Sequence, residues 1–218
     1  MSHDTKTLIL VPTELERSRL RADLGPSCLA ADRLELCGFG PVAAAARTAT
    51  LLARDRPDRV LLVGIAGAID ARLSPGSARR FAAVACHGIG AGSAADFAPA
   101  GALGWPHWPG DDGSPPIGDT IPLDAPGVAG DAGPLLLTVC AASGSAADVA
   151  ERRRLFPAAV AEDMEGFGVA LACRLHGVPC AIIRGISNVA GDRDKARWAT
   201  AEALAAAAAL AHEFLAEA

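Results

Sequence analysis

No stretch of this 218-residue chain reaches the roughly 18 consecutive apolar residues that a membrane span requires. The longest candidate, Ala203 to Ala211, is closed off by Glu202 and His212. The apolar run near the start, Leu8 to Val11, follows Asp4 and Lys6 and is too short for the core of a secretory signal. Both absences lead to the expectation of a cytoplasmic protein that neither spans nor binds a membrane. No basic run exceeds Arg152-Arg153-Arg154, and 20 basic against 25 acidic residues give a formal net charge of −5. A nucleic-acid backbone is therefore a poor partner, and small molecules are better ones. The six cysteines form no C-x-x-C pair and no zinc-ligand spacing, so no metal site is expected. Most of them, as in Val84-Ala85-Cys86 and Thr138-Val139-Cys140, sit in apolar segments where a reduced thiol packs as a small hydrophobe. Also missing are a G-x-x-x-x-G-K-[ST] loop, a G-x-S-x-G elbow and an H-E-x-x-H pair. What is present, 51% hydrophobic and 21% charged residues, is too apolar for disorder and sufficient for a packed core.

Strands and helices alternate along the chain. Thr7 to Val11 reads as a strand entering a helix that carries Leu15, Leu20 and Leu24. Arg33 to Phe39 is a strand leading through Gly38-Phe39-Gly40 to a helix from Pro41 to about Arg54, with proline at its first turn. Arg59 to Ala68 reads as a central strand, apolar after Arg59, and Phe81 to Cys86 as another. Residues 90–134, rich in Gly, Pro, Ala and Asp, read as a long loop carrying Trp105 and Trp108. Beyond it the pattern predicts strands over Leu135–Cys140, Ala158–Met164 and Cys180–Ile186. Helices are predicted over Ala146–Phe156, Phe167–His176 and Ala196–Ala216. This order predicts one α/β domain spanning residues 1–218, with a mostly parallel or mixed sheet.

In open α/β sheets ligands gather at the carboxyl ends of strands, which directs attention to four junctions: 12–16, 64–68, 162–166 and 184–194. Thr13-x-x-Glu16 has the form of a helix capping box, and Glu162-Asp163-Met164-Glu165 places carboxylates where a helix dipole favours them. Each has an ordinary structural explanation when taken alone. Gly38-Phe39-Gly40-Pro41-Val42-Ala43 fits a loose dinucleotide-binding pattern, but Pro41 removes a backbone donor and no acidic residue ends the next strand. A tight turn explains it better than a nicotinamide site.

Pro12-Thr13-x-x-Glu16, Gly64-Ile65-Ala66-Gly67-Ala68, Met164-Glu165-Gly166 and Arg184-Gly185-Ile186-Ser187-Asn188, with Gly191-Asp192-Arg193-Asp194 and Trp198 following, occur in this order. Together they resemble the nucleoside phosphorylase and nucleosidase superfamily, and within it the futalosine hydrolases. The resemblance implies a three-layer α/β/α fold around a mixed, partly barrel-like sheet, a homodimer or higher oligomer, and no cofactor. It also implies hydrolysis of futalosine to hypoxanthine and dehypoxanthine futalosine, a step toward menaquinone. Methylthioadenosine/S-adenosylhomocysteine-type hydrolysis and purine nucleoside phosphorolysis are the alternatives. In this family reading Glu16 activates water, Glu165 accepts the ribose hydroxyls and Met164 packs on the sugar. Ala66, Gly67 and Ser187 line the substrate, and Phe97 with Trp105 and Trp108 covers the base or the aryl arm. Asn188 stands where adenine-specific members carry an aspartic acid. An amide cannot deliver a proton, but it pairs without charge with a 6-oxopurine. The benzoate-like end of futalosine calls for a cation, with Arg193, Arg197, Arg79 and a partner subunit's arginine all in contention.

Overall fold

The computed structural model describes residues 5–28, 33–93, 96–111, 113–124 and 133–217, so the expected 90–134 loop lies partly outside the described residues. Strand β1 (Thr7–Val11) is buried along its whole length because its apolar residues serve both faces. Leu8 and Leu10 pack into one cluster and Ile9 and Val11 into another, the period-two alternation of a strand between two helical layers. β1 pairs in parallel with β2 (Arg33–Leu36) on one side and β3 (Arg59–Ala68) on the other. Strand β3, ten residues long, runs past β1: it pairs in parallel with β11 (Cys180–Val189), while its last residues meet β10 (Ala159–Asp163) antiparallel. The sheet continues from β10 through β9 (Leu135–Val139) and β5 (Ala83–His87) to β8 (Thr120–Pro122). Short β4 (Ala78–Arg80) borders β11, and β6 (Gly90–Ala91) and β7 (Ala98–Pro99) form a separate hairpin.

Helices α1 (Glu14–Cys28) and α5 (Thr200–Ala216) cover one face, and α2 (Pro41–Asp55) and α4 (Gly166–His176) the other. Helix α3 (Ala146–Leu155) covers the β9–β10 portion, so the fold is the expected three-layer arrangement around a mixed sheet. Gly168 sets the α2–α4 contact: a Cβ there would overlap the Pro41 carbonyl oxygen. The close approach matters because these two helices begin at the site.

Several boundaries differ from expectation for local reasons. β2 stops at Leu36, since Gly38 and Gly40 turn the chain at φ 90° and 85°. β11 extends to Val189 through a bulge between Ile186 and Asn188. The last helix starts at Thr200 rather than near Ala196. Asp194 instead caps a 3-10 turn over Lys195–Arg197 by accepting the Ala196 N–H. Short β4 and β8 fall in segments that carry no apolar alternation.

Candidate active site

A cleft of about 300 Å3 opens at the carboxyl ends of β1, β3, β9, β10 and β11, bringing all four sequence junctions together. Seven residues singled out from the sequence line it: Glu16, Ala66, Gly67, Met164, Glu165, Ser187 and Asn188. Phe97 lies outside that lining, against His87 with ring centroids 5.1 Å apart. Trp105 is exposed, and Trp108 lines a separate groove of about 600 Å3 beside the end of α4. That groove is larger but carries no comparable set of buried charges. The cleft's aromatic lining is Phe39 and Trp198 instead.

Glu16 is buried, and its two oxygens do different work. Oε2 accepts the Thr13 N–H at 3.0 Å and the Thr13 hydroxyl at 2.6 Å, while the Glu16 N–H donates to Thr13 Oγ1 at 3.4 Å. This is the capping box read from the sequence. Oε1 points the other way and accepts the Ile65 N–H at 3.1 Å. The cap therefore fixes the carboxylate against the end of β3, at the cleft wall. Structural and functional readings of Glu16 are compatible, because the same contacts that close the helix orient the group.

Glu165 begins α4. Its Oε1 accepts the Gly40 N–H at 3.0 Å, and its Oε2 lies 3.3 Å from Arg184 Nη2. The glycine turn thus aims its donor at a protein carboxylate rather than at a pyrophosphate. Burial pushes the Glu165 carboxyl up to about 7, with Arg184 and the Gly40 N–H opposing and Asp163 and Glu16 adding to the rise.

Arg184 is fully buried in the otherwise apolar β11. Asp163 Oδ2 accepts from its Nε at 3.0 Å and from its Nη2 at 2.5 Å. Asp163 is itself held by the Thr138 hydroxyl and the Gly166 N–H. Burial opposes the guanidinium charge, but Asp163, Glu165 and Glu16 more than offset it and hold the group protonated. Nη1 has no partner. It lies where a Cβ on Gly64 would overlap it, and the same Cβ would stand 2.7 Å from Glu16 Oε1, so glycine leaves room for both groups. The guanidinium thus stands between the Asp163 and Glu165 carboxylates on one side and close to Glu16 on the other.

A second buried pair shapes the opposite wall. Glu162 accepts the Ser143 N–H at 2.8 Å and hydroxyl at 2.7 Å, and forms an ion pair with Arg152 of α3 at 2.5 Å. Arg152 also donates to the Ala141 carbonyl at 2.7 Å. The network ties the segment after β9 to β10, and Glu162 and Ser143 both line the cleft. Glu162 belongs to a junction marked in the sequence, but nothing local pointed to Arg152 of a polar helix as its partner. Next to it, Asn188 Oδ1 accepts the Ser187 hydroxyl at 2.7 Å and Nδ2 donates to the Val189 carbonyl at 2.8 Å, so its own loop orients the amide.

Known proteins resemble this chain in sequence and in fold. The Phosphorylase superfamily model matches residues 135–217. A futalosine hydrolase of Streptomyces coelicolor is 38% identical over 174 residues, 78% of this chain and 72% of that one. One from Thermus thermophilus is 52% identical over 56 residues, 26% of this chain and 25% of that one. Among solved structures, a methylthioadenosine/S-adenosylhomocysteine nucleosidase from Colwellia psychrerythraea, in complex with adenine, superposes with a TM-score of 0.77. It is 23% identical, with 99% of this chain and 96% of that chain covered. The futalosine hydrolase of Helicobacter pylori superposes with a TM-score of 0.72 at 18% identity, covering 98% of each chain.

Proposed function

The chain belongs to the futalosine hydrolase family and is an N-glycosyl hydrolase of futalosine, and from that premise we propose that it releases hypoxanthine and leaves dehypoxanthine futalosine, a step of menaquinone formation in the cytoplasm. No cofactor enters the reading.

The observation that carries the mechanism is the triangle Glu16–Arg184–Glu165. Cleavage of the C1′–N9 bond sends its electron pair to the base and leaves an oxocarbenium-like ribose. Glu165, as the anion, accepts the ribose hydroxyls and offsets the developing positive charge, with Met164 packed on the sugar between Ala66 and Gly67. Glu16, which lines the cleft, activates the water: the water oxygen attacks C1′ as its proton passes to the Glu16 carboxylate. The base leaves against Asn188 as its N9 anion and becomes hypoxanthine by taking a proton from solvent, while Glu16 returns to solvent the proton it took from water. With one lone pair of Oδ1 taken by Ser187, the other accepts a purine N–H without a charge being buried there.

A homo-oligomer is part of the proposal. Leu15 and Phe39, which line the cleft, are 65% and 68% exposed, and Val42, three residues after Phe39, is 82% exposed; a second copy would cover these apolar side chains.

Release of base from futalosine, methylthioadenosine and inosine, each with and without phosphate, tests the reading by chromatography. Hypoxanthine from futalosine, independent of phosphate, is expected. A kcat/KM that favours methylthioadenosine, or an absolute need for phosphate, overturns it.

A further inference from the structure

Futalosine carries an aryl carboxylate on its far arm, and the cleft holds cations that the hydrolytic chemistry does not use. Three arginines were in contention from the sequence. Arg79 borders a different hollow, together with Asp70 and Arg72, and does not line the cleft. Arg197 is spent within its own loop, with Nη2 on Asp192 at 2.8 Å and Nε 3.4 Å from Asp194. Those two contacts engage both acidic residues of the segment that follows Asn188. The segment's other two cations, Arg193 and Lys195, both line the cleft, and neither has an ion pair among the described residues.

Arg193 is held in place by an aromatic ring. Its guanidinium stands 5.6 Å from the centroid of Trp198, whose indole N–H donates to the Asp192 carbonyl at 3.2 Å. The Ala199 N–H donates to the Ser187 carbonyl at 2.8 Å, which brings Trp198 back to the end of β11 beside the substrate-lining residues. An indole with a guanidinium beside it and an ammonium lining the same cleft has the components that an aromatic acid needs. The ring packs on an aromatic face, and a guanidinium and an ammonium meet the carboxylate.

We propose that Arg193 and Lys195, with Trp198, form the subsite for the aromatic carboxylate of the substrate. The proposal rests on the futalosine reading and assigns the specificity for the arm to the Gly191–Trp198 loop of the same chain. Its charge balance explains the geometry: by taking both loop carboxylates, Arg197 prevents them from neutralising the two cations that face the cleft.

The test is a substrate-by-variant cycle with futalosine and its carboxamide, in which the arm keeps its shape but loses its charge. Wild type and the Arg193→Gln/Lys195→Gln double variant are compared by KM and kcat. Removing the cations is expected to raise KM for futalosine about 10- to 100-fold, the range for a charged hydrogen bond, with a smaller effect on kcat. Wild type is expected to lose a similar factor on the carboxamide, and the two changes together should cost little more than either alone. An unchanged KM for futalosine in the double variant, or full additivity of the two changes, overturns the subsite. Failure of the wild type to cleave futalosine at all would overturn the parent reading and the subsite with it, a separate outcome recognisable before any variant is made.

Discussion

A single carboxylate can close a helix and run a reaction, and at Glu16 the two roles separate by experiment. Glutamine keeps the capping contacts to Thr13 but turns an amide NH2 toward the Ile65 N–H, so Glu16→Gln should lower stability by about 1–3 kcal/mol and leave the protein folded. It cannot take a proton from water, so kcat is expected to fall ~100-fold or more. Glu14, two residues away and paired with Arg17 on the surface at 2.5 Å, is the control: Glu14→Gln should retain full activity. Equal losses at the two positions would remove Glu16 from the chemistry. Glu165 makes a prediction about pH. Its carboxyl, raised from 4.5 to about 7 by burial, must be ionised to accept ribose hydroxyls, so kcat/KM should fall as pH drops below about 7. For stability the sign is the reverse. Between 4.5 and about 7 the native state binds the proton more tightly than the unfolded chain, so this group lowers stability as pH rises through that window. Glu165→Gln lacks the effect. Its melting temperature relative to wild type should climb from pH 4.5 to 7 and level off above, even though the variant is inactive. A constant difference between the two proteins across that range would show that Glu165 titrates normally.

At the level of elements, the order of strands and helices was legible because apolar runs, caps and glycine turns were strong where the core is. β1 and β3 announce themselves as apolar strands and β11 as an apolar run broken by Arg184, and the α2 and α4 starts are marked by Pro41 and by Gly166 after Glu165. The site was legible to the extent that its residues sit at strand ends in recognisable motifs. What stayed hidden depends on pairing between distant segments. Nothing local relates Arg152 to Glu162, or the Gly40 N–H to Glu165, 125 residues apart. Phe97 was drawn toward the site as an aromatic in a loop, whereas Phe39, next to a glycine turn, is the one that lines the cleft. The Arg152–Glu162 pair offers a test at this scale. Arg152→Met strands a buried carboxylate against Ser143 and is expected to cost about 3–5 kcal/mol, measured by denaturant unfolding. Adding Glu162→Gln removes the stranded charge and should recover a large part of that loss, since Gln still accepts from Ser143. If the double variant is no more stable than Arg152→Met, the pair is not coupled and the β9–α3 segment is held by its apolar contacts alone.

For the whole molecule the question is what covers the apolar rim of the cleft. Leu15 at the start of α1 and Phe39 in the glycine turn line the cleft and are exposed, and Val42 in the first turn of α2 is the exposed apolar side chain that follows them. Val42 sits in the first turn of a helix whose buried face carries Ala44, Thr48, Leu51 and Leu52, so its exposure is not a failure of helix packing. It lies on the opposite side from that stripe, where a polar residue would otherwise be favoured. A second copy docked there would shield the rim and reduce solvent access to the cleft. The proposed dimer then makes activity depend on assembly. Sedimentation velocity should give a dimer for the wild type, with a melting temperature that rises with protein concentration. Val42→Asp places a charge in the contact without touching the cleft lining or the α2 core, and should shift the species toward monomer. Its kcat/KM is expected to recover as protein concentration is raised. A monomeric wild type, or a Val42→Asp variant that stays dimeric at every concentration, would mean that this rim serves the substrate alone and that the exposed valine belongs to no interface.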